Sequence, residues 1–317
     1  MKPGRIGRTR TLHGLDAWPK RLQGGVATIG VFDGVHAGHR ALIRRAVLLA
    51  RRLHTFSVVI TFDPDPHSVL NPEKSFIALT SLAERCRRIA TLGPDYIWIL
   101  PFTRKLAQVP AETFARRVLL DRLAAISLVV GEDFAFGRGA KGGVRLLRQI
   151  GAKAGMHVIT VRPVLRGGAV VSSSRIRAAI HNGELAQARR LLGWPPVLSG
   201  TVIRGSGRGR LLRVPTANLK LMPQVLPPTG VYASIASAGS RRWPAVMNLG
   251  VRPTFGGGPV IAEVHLLGFS GALYGKSLQV SLIQRLRSER CFASSKALVR
   301  QIHRDLSRAK SILSRYL

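Results

Sequence analysis

The segment Thr28-Ile29-Gly30-Val31-Phe32-Asp33-Gly34-Val35-His36-Ala37-Gly38-His39 sets two imidazoles three residues apart among glycines. An apolar, β-branched run from Val26 to Val31 reads as a buried strand. It breaks at Asp33-Gly34, and Gly38 to Leu53 reads as a helix with Leu42, Ala46 and Leu49 on one face. His36 and His39 therefore stand where a helix begins. Unpaired N–H groups and a dipole end worth roughly half a positive charge favour an anion there. Ala37 and Gly38 are small enough for a phosphate to approach the backbone. No thiol or nucleophile lies nearby, so the chemistry these residues suit is phosphate binding and charge stabilisation. A tight turn with solvated histidines is the plainer alternative, and the strand–turn–helix setting favours the phosphate.

Further segments carry chemistry-bearing residues. In Val129-Val130-Gly131-Glu132-Asp133-Phe134-Ala135-Phe136-Gly137 a carboxylate pair lies beside aromatics at a strand's end. It suits ribose hydroxyls or a flat ring, and a solvated loop explains it equally well. Ser172-Ser173-Ser174-Arg175-Ile176-Arg177 opens a helix with hydroxyl and guanidinium donors, a clamp for polyphosphate or an ordinary serine N-cap. Gly205-Ser206-Gly207-Arg208-Gly209-Arg210 could cradle phosphates in a backbone nest, although turns look alike and no Gly-Lys-Ser/Thr follows. In Pro215-Thr216-Ala217-Asn218, Thr216 and Asn218 offer neutral oxygens two apart, suited to an Mg²⁺ that keeps waters and phosphate oxygens.

The first segment resembles the His-x-Gly-His nucleotidyltransferase superfamily, whose members join a nucleotide's α-phosphate to a second substrate and release pyrophosphate. Its longer form, Gly30 to His39, is similar to the version in the bacterial bifunctional riboflavin kinase/FAD synthetases. Gly131 to Gly137 is similar to that family's Gly-x-Asp/Asn-Phe-x-Phe-Gly, and Ser172 to Arg177 to its Ser-Ser-Thr-x-Ile-Arg, with Ser174 in place of Thr. Further on, Gly230-Val231-Tyr232-Ala233, Asn248-Leu249-Gly250-Val251-Arg252-Pro253-Thr254-Phe255, Glu263-Val264-His265-Leu266-Leu267, Leu273-Tyr274-Gly275 and Arg287-Ser288-Glu289 with Phe292 occur in the order of the riboflavin kinase barrel. The resemblance runs from Val26 to Leu313.

That resemblance implies a cytoplasmic enzyme that phosphorylates riboflavin with Mg-ATP to FMN. It then adenylylates FMN with a second ATP, giving FAD and pyrophosphate. It casts His36 and His39 as catalytic, with Gly30, Phe32, Asp33, Gly34, Gly38, Ser172, Ser173 and Arg177 on the nucleotide. In the barrel it places Gly205, Gly207 and Gly209 on phosphates, Thr216 and Asn218 on Mg²⁺ with ATP, and Glu263 as the base for riboflavin's 5′-hydroxyl. A carboxylate within reach of an alcohol attacking a γ-phosphate is what such a reaction requires. Asp133, Phe134, Phe136 and Arg287 fall beside flavin or nucleotide.

Three further positions depart from the family pattern. Asp65 replaces the histidine of Phe-x-Pro-His-Pro within Thr61-Phe62-Asp63-Pro64-Asp65-Pro66, where a carboxylate near phosphates repels. Arg213 stands where glycine commonly precedes Pro-Thr-Ala-Asn, and Gly268 where aspartate commonly follows the paired leucines. Two rival readings follow: an adenylyltransferase with a weakened or inactive kinase half, and a basic nucleic-acid-binding protein on the same fold.

These residues need elements to hold them. Val26–Phe32, Phe56–Phe62, Tyr96–Pro101, Ile126–Gly131 and His157–Arg162 read as strands. Ser81–Thr91, Ala111–Leu123 and Gly143–Ala154 read as helices between them. The alternation predicts a Rossmann-like α/β nucleotidyltransferase domain with a parallel sheet, its ligands beyond the strands' C-terminal ends. A helix from Glu184 to Leu192 ends at the breaker cluster Gly193-Trp194-Pro195-Pro196. Thr201–Arg204, Gly230–Ser237, Ala245–Asn248, Val260–Leu267 and Leu278–Leu286 then read as strands of a small antiparallel β-barrel, the riboflavin kinase domain. A closing helix from Ser294 presents Leu298, Ile302, Leu306, Ala309 and Leu313. The expected domains are residues 1–185 and 186–317.

Composition bounds the rest. A chain of 317 residues with 46% hydrophobic content suits two buried cores. No apolar run approaches the ~20 residues of a membrane span. Two cysteines, Cys86 and Cys291, suggest neither a disulfide framework nor a zinc site. Lys and Arg outnumber Asp and Glu 49 to 15, a net charge of +34. The arginines are scattered and aromatics make only 6% of the chain, so non-specific polyanion binding is expected rather than a dedicated nucleic-acid site.

Overall fold

Apolar strands alternating with amphipathic helices fold the first part of the chain around one sheet. The computed structural model describes residues 4–6, 8–73, 76–205, 214–251 and 260–316. Gly207, Gly209, Arg213 and the Arg252-Pro253-Thr254-Phe255 segment lie outside them. The chain divides into two compact units, residues 1–76 with 82–172 and residues 77–81 with 173–317.

In the first unit, strands β1 (Gly4–Ile6), β2 (Thr9–His13), β3 (Val26–Ile29), β4 (Ser57–Asp63), β5 (Tyr96–Pro101), β6 (Ser127–Gly131) and β7 (His157–Val161) form one sheet. Its order is β1-β2-β5-β4-β3-β6-β7, parallel throughout except for β1. All four residues of β3 are buried, as expected of a central parallel strand covered on both faces. Helices α1 (Ala37–Arg52), α2 (Leu82–Ala90) and α3 (Val144–Ala154) cover it. The chain leaves β3 between the ends of β4 and β6, the middle of the sheet's C-terminal edge.

Two local expectations of the first unit are corrected. β3 stops at Ile29 rather than Phe32, because Phe32 adopts a left-handed φ of 56°. The helix expected over 111–123 is α-helical only across Ala111–Phe114 and continues as a π-helical segment, Ala115–Arg122. β1 and β2 were not anticipated; Arg5, Arg8 and Arg10 obscure their alternation.

The second unit begins with α4 (Ser173–His181) and α5 (Leu185–Leu192). Six strands follow: β8 (Val197–Ile203), β9 (Ala217–Leu221), β10 (Gly230–Ala238), β11 (Arg241–Val251), β12 (Val260–Leu266) and β13 (Ser277–Arg287). They close into an antiparallel barrel in the order β8-β9-β12-β11-β10-β13. Period-two alternation sends Leu219, Tyr232, Met247, Leu249, Ala262 and Val264 into the barrel core. The closing helix α6 (Ser295–Leu313) packs Ala309 and Leu313 against Val231, Ala233 and Ile235 outside it. Its N-cap is Ser294, whose Oγ accepts from the Ala297 N–H at 3.2 Å. β9 is the one barrel strand not among the expected segments, although its Ala217, Leu219 and Leu221 alternate with Asn218 and Lys220.

Candidate active sites

The turn after β3 is held in a costly backbone. Phe32, Gly34 and Val35 have φ of 56°, 77° and 42°, and a β-branched residue in that region is strained by about 1–3 kcal/mol. Burial of Phe32 and Val35, both at most 1% exposed, offsets the strain, and the Val35 N–H donates to Phe32 O at 3.0 Å. The turn delivers His36 to the N-cap of α1, where its Nδ1 accepts from the His39 N–H across a long 3.4 Å. An accepting Nδ1 leaves the proton of the neutral ring on Nε2, which is then a donor. The two imidazoles stack with centroids 3.5 Å apart, and His39 meets Phe32 edge-on at 5.3 Å. Added Cβ atoms at Gly30 and Gly38 would lie 3.1 Å from the Phe32 ring and 3.2 Å from the His36 ring.

Both imidazoles are neutral at pH 7. Burial, with the charge of Arg40 second, lowers His36 from 6.5 to about 4. Burial first, then His36 and Arg85, pushes His39 well below the ordinary histidine value. His39 Nδ1 is buried without a hydrogen-bond partner among the described residues. The pair is thus a set of neutral donors and acceptors at a helix N-terminus, and the positive charge comes from the dipole and neighbouring guanidinium groups.

Arg85, which sequence reasoning missed, braces the turn from beneath. It is 5% exposed and donates to Val31 O at 2.8 Å and Phe62 O at 2.7 Å, clipping the ends of β3 and β4 together. The signal was present: Leu82, Arg85, Cys86 and Ile89 share one helical face, and an arginine among three apolar residues needs buried acceptors. Asp33 is buried in the turn itself. Phe134 and Phe136 stack on each other at 5.5 Å and pack on the core's margin, while Asp133 is exposed at the end of β6. Ser172 ends the first unit; Ser173 opens α4 in the second, where Arg177 donates to Ile77 O at 2.8 Å. An apolar cavity of about 220 Å³ beside Leu100, Phe114 and Val118 includes none of the predicted residues.

The barrel builds a different arrangement. Glu263 on β12 lies directly across from Asn218 on β9 and from Asn248 on β11. The row extends through Ile203 on β8, Val231 on β10 and Arg287 on β13, one residue from every strand. Because residues directly opposite share a face, the row lies on the barrel's outer side. Asn218 is 8% exposed, and its Oδ1 is buried without a partner among the described residues. A Cβ on Gly205 would collide with the Asn218 amide, so glycine there leaves that side chain in place. An orphaned neutral oxygen beside a half-buried carboxylate fits a hard divalent cation. Arg287 donates from Nε to Asp305 on α6 at 2.9 Å, and Asp305 also accepts from Gln301 at 2.8 Å.

Family models match both units: FAD synthetase over residues 19–175 and riboflavin kinase over 192–313. The bifunctional riboflavin kinase/FMN adenylyltransferase of Escherichia coli (strain K12) is 39% identical over 93% of this chain and 94% of its own. The one from Pseudomonas fluorescens is 38% identical over 95% and 97%. The chain belongs to this bifunctional family. It carries both the kinase and the adenylyltransferase, and these matches favour that reading over either rival. A Streptococcus pneumoniae structure described as a macrolide-efflux protein superposes with a TM-score of 0.84, at 30% identity over 95% of this chain and 98% of that one. Among the described residues here, no helix is long and apolar enough to cross a membrane.

Two departures from the family pattern now have local explanations. Asp65 in the adenylyltransferase unit is a helix N-cap: its Oδ1 accepts from the His67 N–H at 2.9 Å, opening the helical turn Pro66–Leu70. Gly268 in the kinase unit occupies a turn after β12 with φ of 71°, a conformation that suits glycine better than aspartate.

The depressed His36 value has a consequence for stability. Above pH 6.5 the ring is neutral in folded and unfolded chains alike, and its contribution is intact. Below 6.5 the unfolded chain takes a proton that the buried ring refuses until about pH 4. Stability on the order of 3 kcal/mol is therefore lost across that interval. Melting temperatures measured against pH should fall more steeply below 6.5 for the parent than for His36→Asn, which keeps a capping acceptor but cannot titrate. Parallel curves would show that His36 does not carry the acid sensitivity.

Proposed function

We propose the following division of labour between the residues of this bifunctional enzyme. In the kinase unit, Glu263 accepts the proton of riboflavin's 5′-hydroxyl as that oxygen bonds to the γ-phosphorus of ATP and the bond to the β-phosphate oxygen breaks. Thr216 and Asn218 would hold the Mg²⁺ that accompanies ATP, and the cation would offset phosphate charge as the γ-phosphoryl group is transferred. Gly205, Gly207 and Gly209 line the phosphates, and Arg287, fixed by Asp305, attends flavin or nucleotide. The observation that carries this reading is the register that sets Glu263 across from Asn218, whose buried Oδ1 has no partner among the described residues.

In the adenylyltransferase unit an oxygen of the FMN phosphate attacks the α-phosphorus of ATP and pyrophosphate leaves. His36 donates from Nε2 and His39 from its own ring to the phosphates, while Gly30, Phe32, Asp33, Gly34 and Gly38 shape the turn that receives them. For the same reaction Asp133, Phe134 and Phe136 attend flavin or ribose, and the Ser172, Ser173 and Arg177 motif is assigned to phosphate. Neither step needs a covalent enzyme intermediate; positioning and charge stabilisation suffice. The functional division at 185/186 falls inside the interval 176–191 that neither family model covers.

A reducing cytoplasm suits the free thiols of Cys86 and Cys291. The scattered arginines would bind polyanions non-specifically through counterion release.

The direct test is the purified chain with riboflavin and Mg-ATP. FMN and then FAD should appear, and chelating the metal should stop both. Well-folded protein that forms neither product would overturn the assignment.

A further inference from the structure

We propose that His265 is a positioning residue of the kinase site, holding Thr216 and Asn218 in place through the main chain of Pro215. This rests on the reading of Thr216 and Asn218 as the groups that hold the nucleotide's cation.

The β9–β12 ladder pairs Leu219 with Ala262, Asn218 with Glu263 and Ala217 with Val264, where it ends. Where the ladder stops, His265 continues the connection: its Nδ1 lies 2.7 Å from Pro215 O. A carbonyl oxygen only accepts, so Nδ1 carries the proton and the ring is the donor. Proline has no N–H, so that carbonyl is the one backbone group by which residue 215 can be tied down. It belongs to the peptide plane that includes the Thr216 nitrogen, and fixing it fixes the entry of Thr216. β9 begins at Ala217; continuing its alternation one residue back places Thr216 on the face of Asn218, the face that His265 and Glu263 share on β12. Extending the register by one step sets Thr216 across from His265, completing a quartet with Asn218 and Glu263. The base and the cation's neutral oxygens are thereby held in one frame, and His265 acts through Pro215 rather than on substrate.

The experiment compares His265→Leu, His265→Gln and Asn218→Ala with the parent. Mg-ADP, the product of the kinase step alone, is titrated by calorimetry alongside steady-state assays. Losing the one hydrogen bond should weaken Mg-ADP about tenfold in His265→Leu, or about 1.4 kcal/mol, and raise half-saturating Mg-ATP for FMN formation equally. The KM for riboflavin and FAD formation from supplied FMN should be unchanged. His265→Gln, whose amide can donate, should recover part of the loss. If the leucine variant melts early, His265→Phe keeps the ring volume without the donor and replaces it.

Unchanged Mg-ADP affinity in the donor-less variant would overturn the inference, and so would a glutamine variant no better than leucine. A fall in kcat alone would also overturn it, by giving His265 a part in proton transfer. If Asn218→Ala leaves Mg-ADP binding intact, the cation-site reading fails and the inference with it. If Asn218→Ala weakens binding and His265→Leu does not, only the inference fails.

Discussion

Glu263→Gln should lower riboflavin phosphorylation by about a hundred- to ten-thousand-fold, the loss expected for one positioned general base. FAD formation from supplied FMN should stay near normal. The substitution keeps the side chain's length and shape, so the barrel has little reason to change. Glu263 is half-buried on β12, while its neighbours Ala262 and Val264 fill the core. An amide keeps hydrogen-bonding capacity on that face, but it cannot take a proton from an attacking alcohol. The effect should therefore appear in kcat, with the KM for riboflavin moved far less. Separating FMN and FAD by chromatography reads both steps in one assay, with thermal melts to show that folding is unchanged. Loss of both activities in a folded variant, or of neither, would contradict the two-site assignment.

The parts of this enzyme that were legible in the sequence are those where period and chemistry agree. Tyr96–Pro101 is a strand over the predicted residues because its apolar run is uninterrupted and bounded by breakers. α1 begins within one residue of its expected start, since small residues and a histidine cap mark the point. β9 carries the period-two signal, with Ala217, Leu219 and Leu221 alternating with Asn218 and Lys220, but it is only five residues long, and its pairing with β8 and β12 is what sets it in the barrel. Asp305 was hidden. It occupies the buried stripe of α6 as a charge, and its partner Arg287 is 18 residues away in sequence. Arg85 satisfies two carbonyls, 54 and 23 positions away, that no local pattern reports. The neutral state of the histidine pair was also out of reach, because it follows from burial and from a 3.5 Å stack that exist only in the folded turn.

That stacked pair gives the complementary prediction. His39→Ala should leave FMN to accumulate from riboflavin while FAD formation falls by about a hundred- to a thousandfold, the loss typical of removing one donor from a charge-stabilising site. His36→Ala should do the same at a further cost in stability of about 1 kcal/mol, because it also deletes the cap of α1. His36→Asn separates the two effects: the cap acceptor survives, the Nε2 donor does not, and FAD formation should remain low in a protein of near-parental stability at pH 7. Raising FMN should not rescue any of the three if the lost contact is to the triphosphate. Kinase turnover in the same preparations serves as the internal control, since Glu263 and Asn218 belong to the other unit. FAD formation at the parental rate in His39→Ala would remove the pair from the chemistry and leave it as packing beneath the turn, held against Phe32.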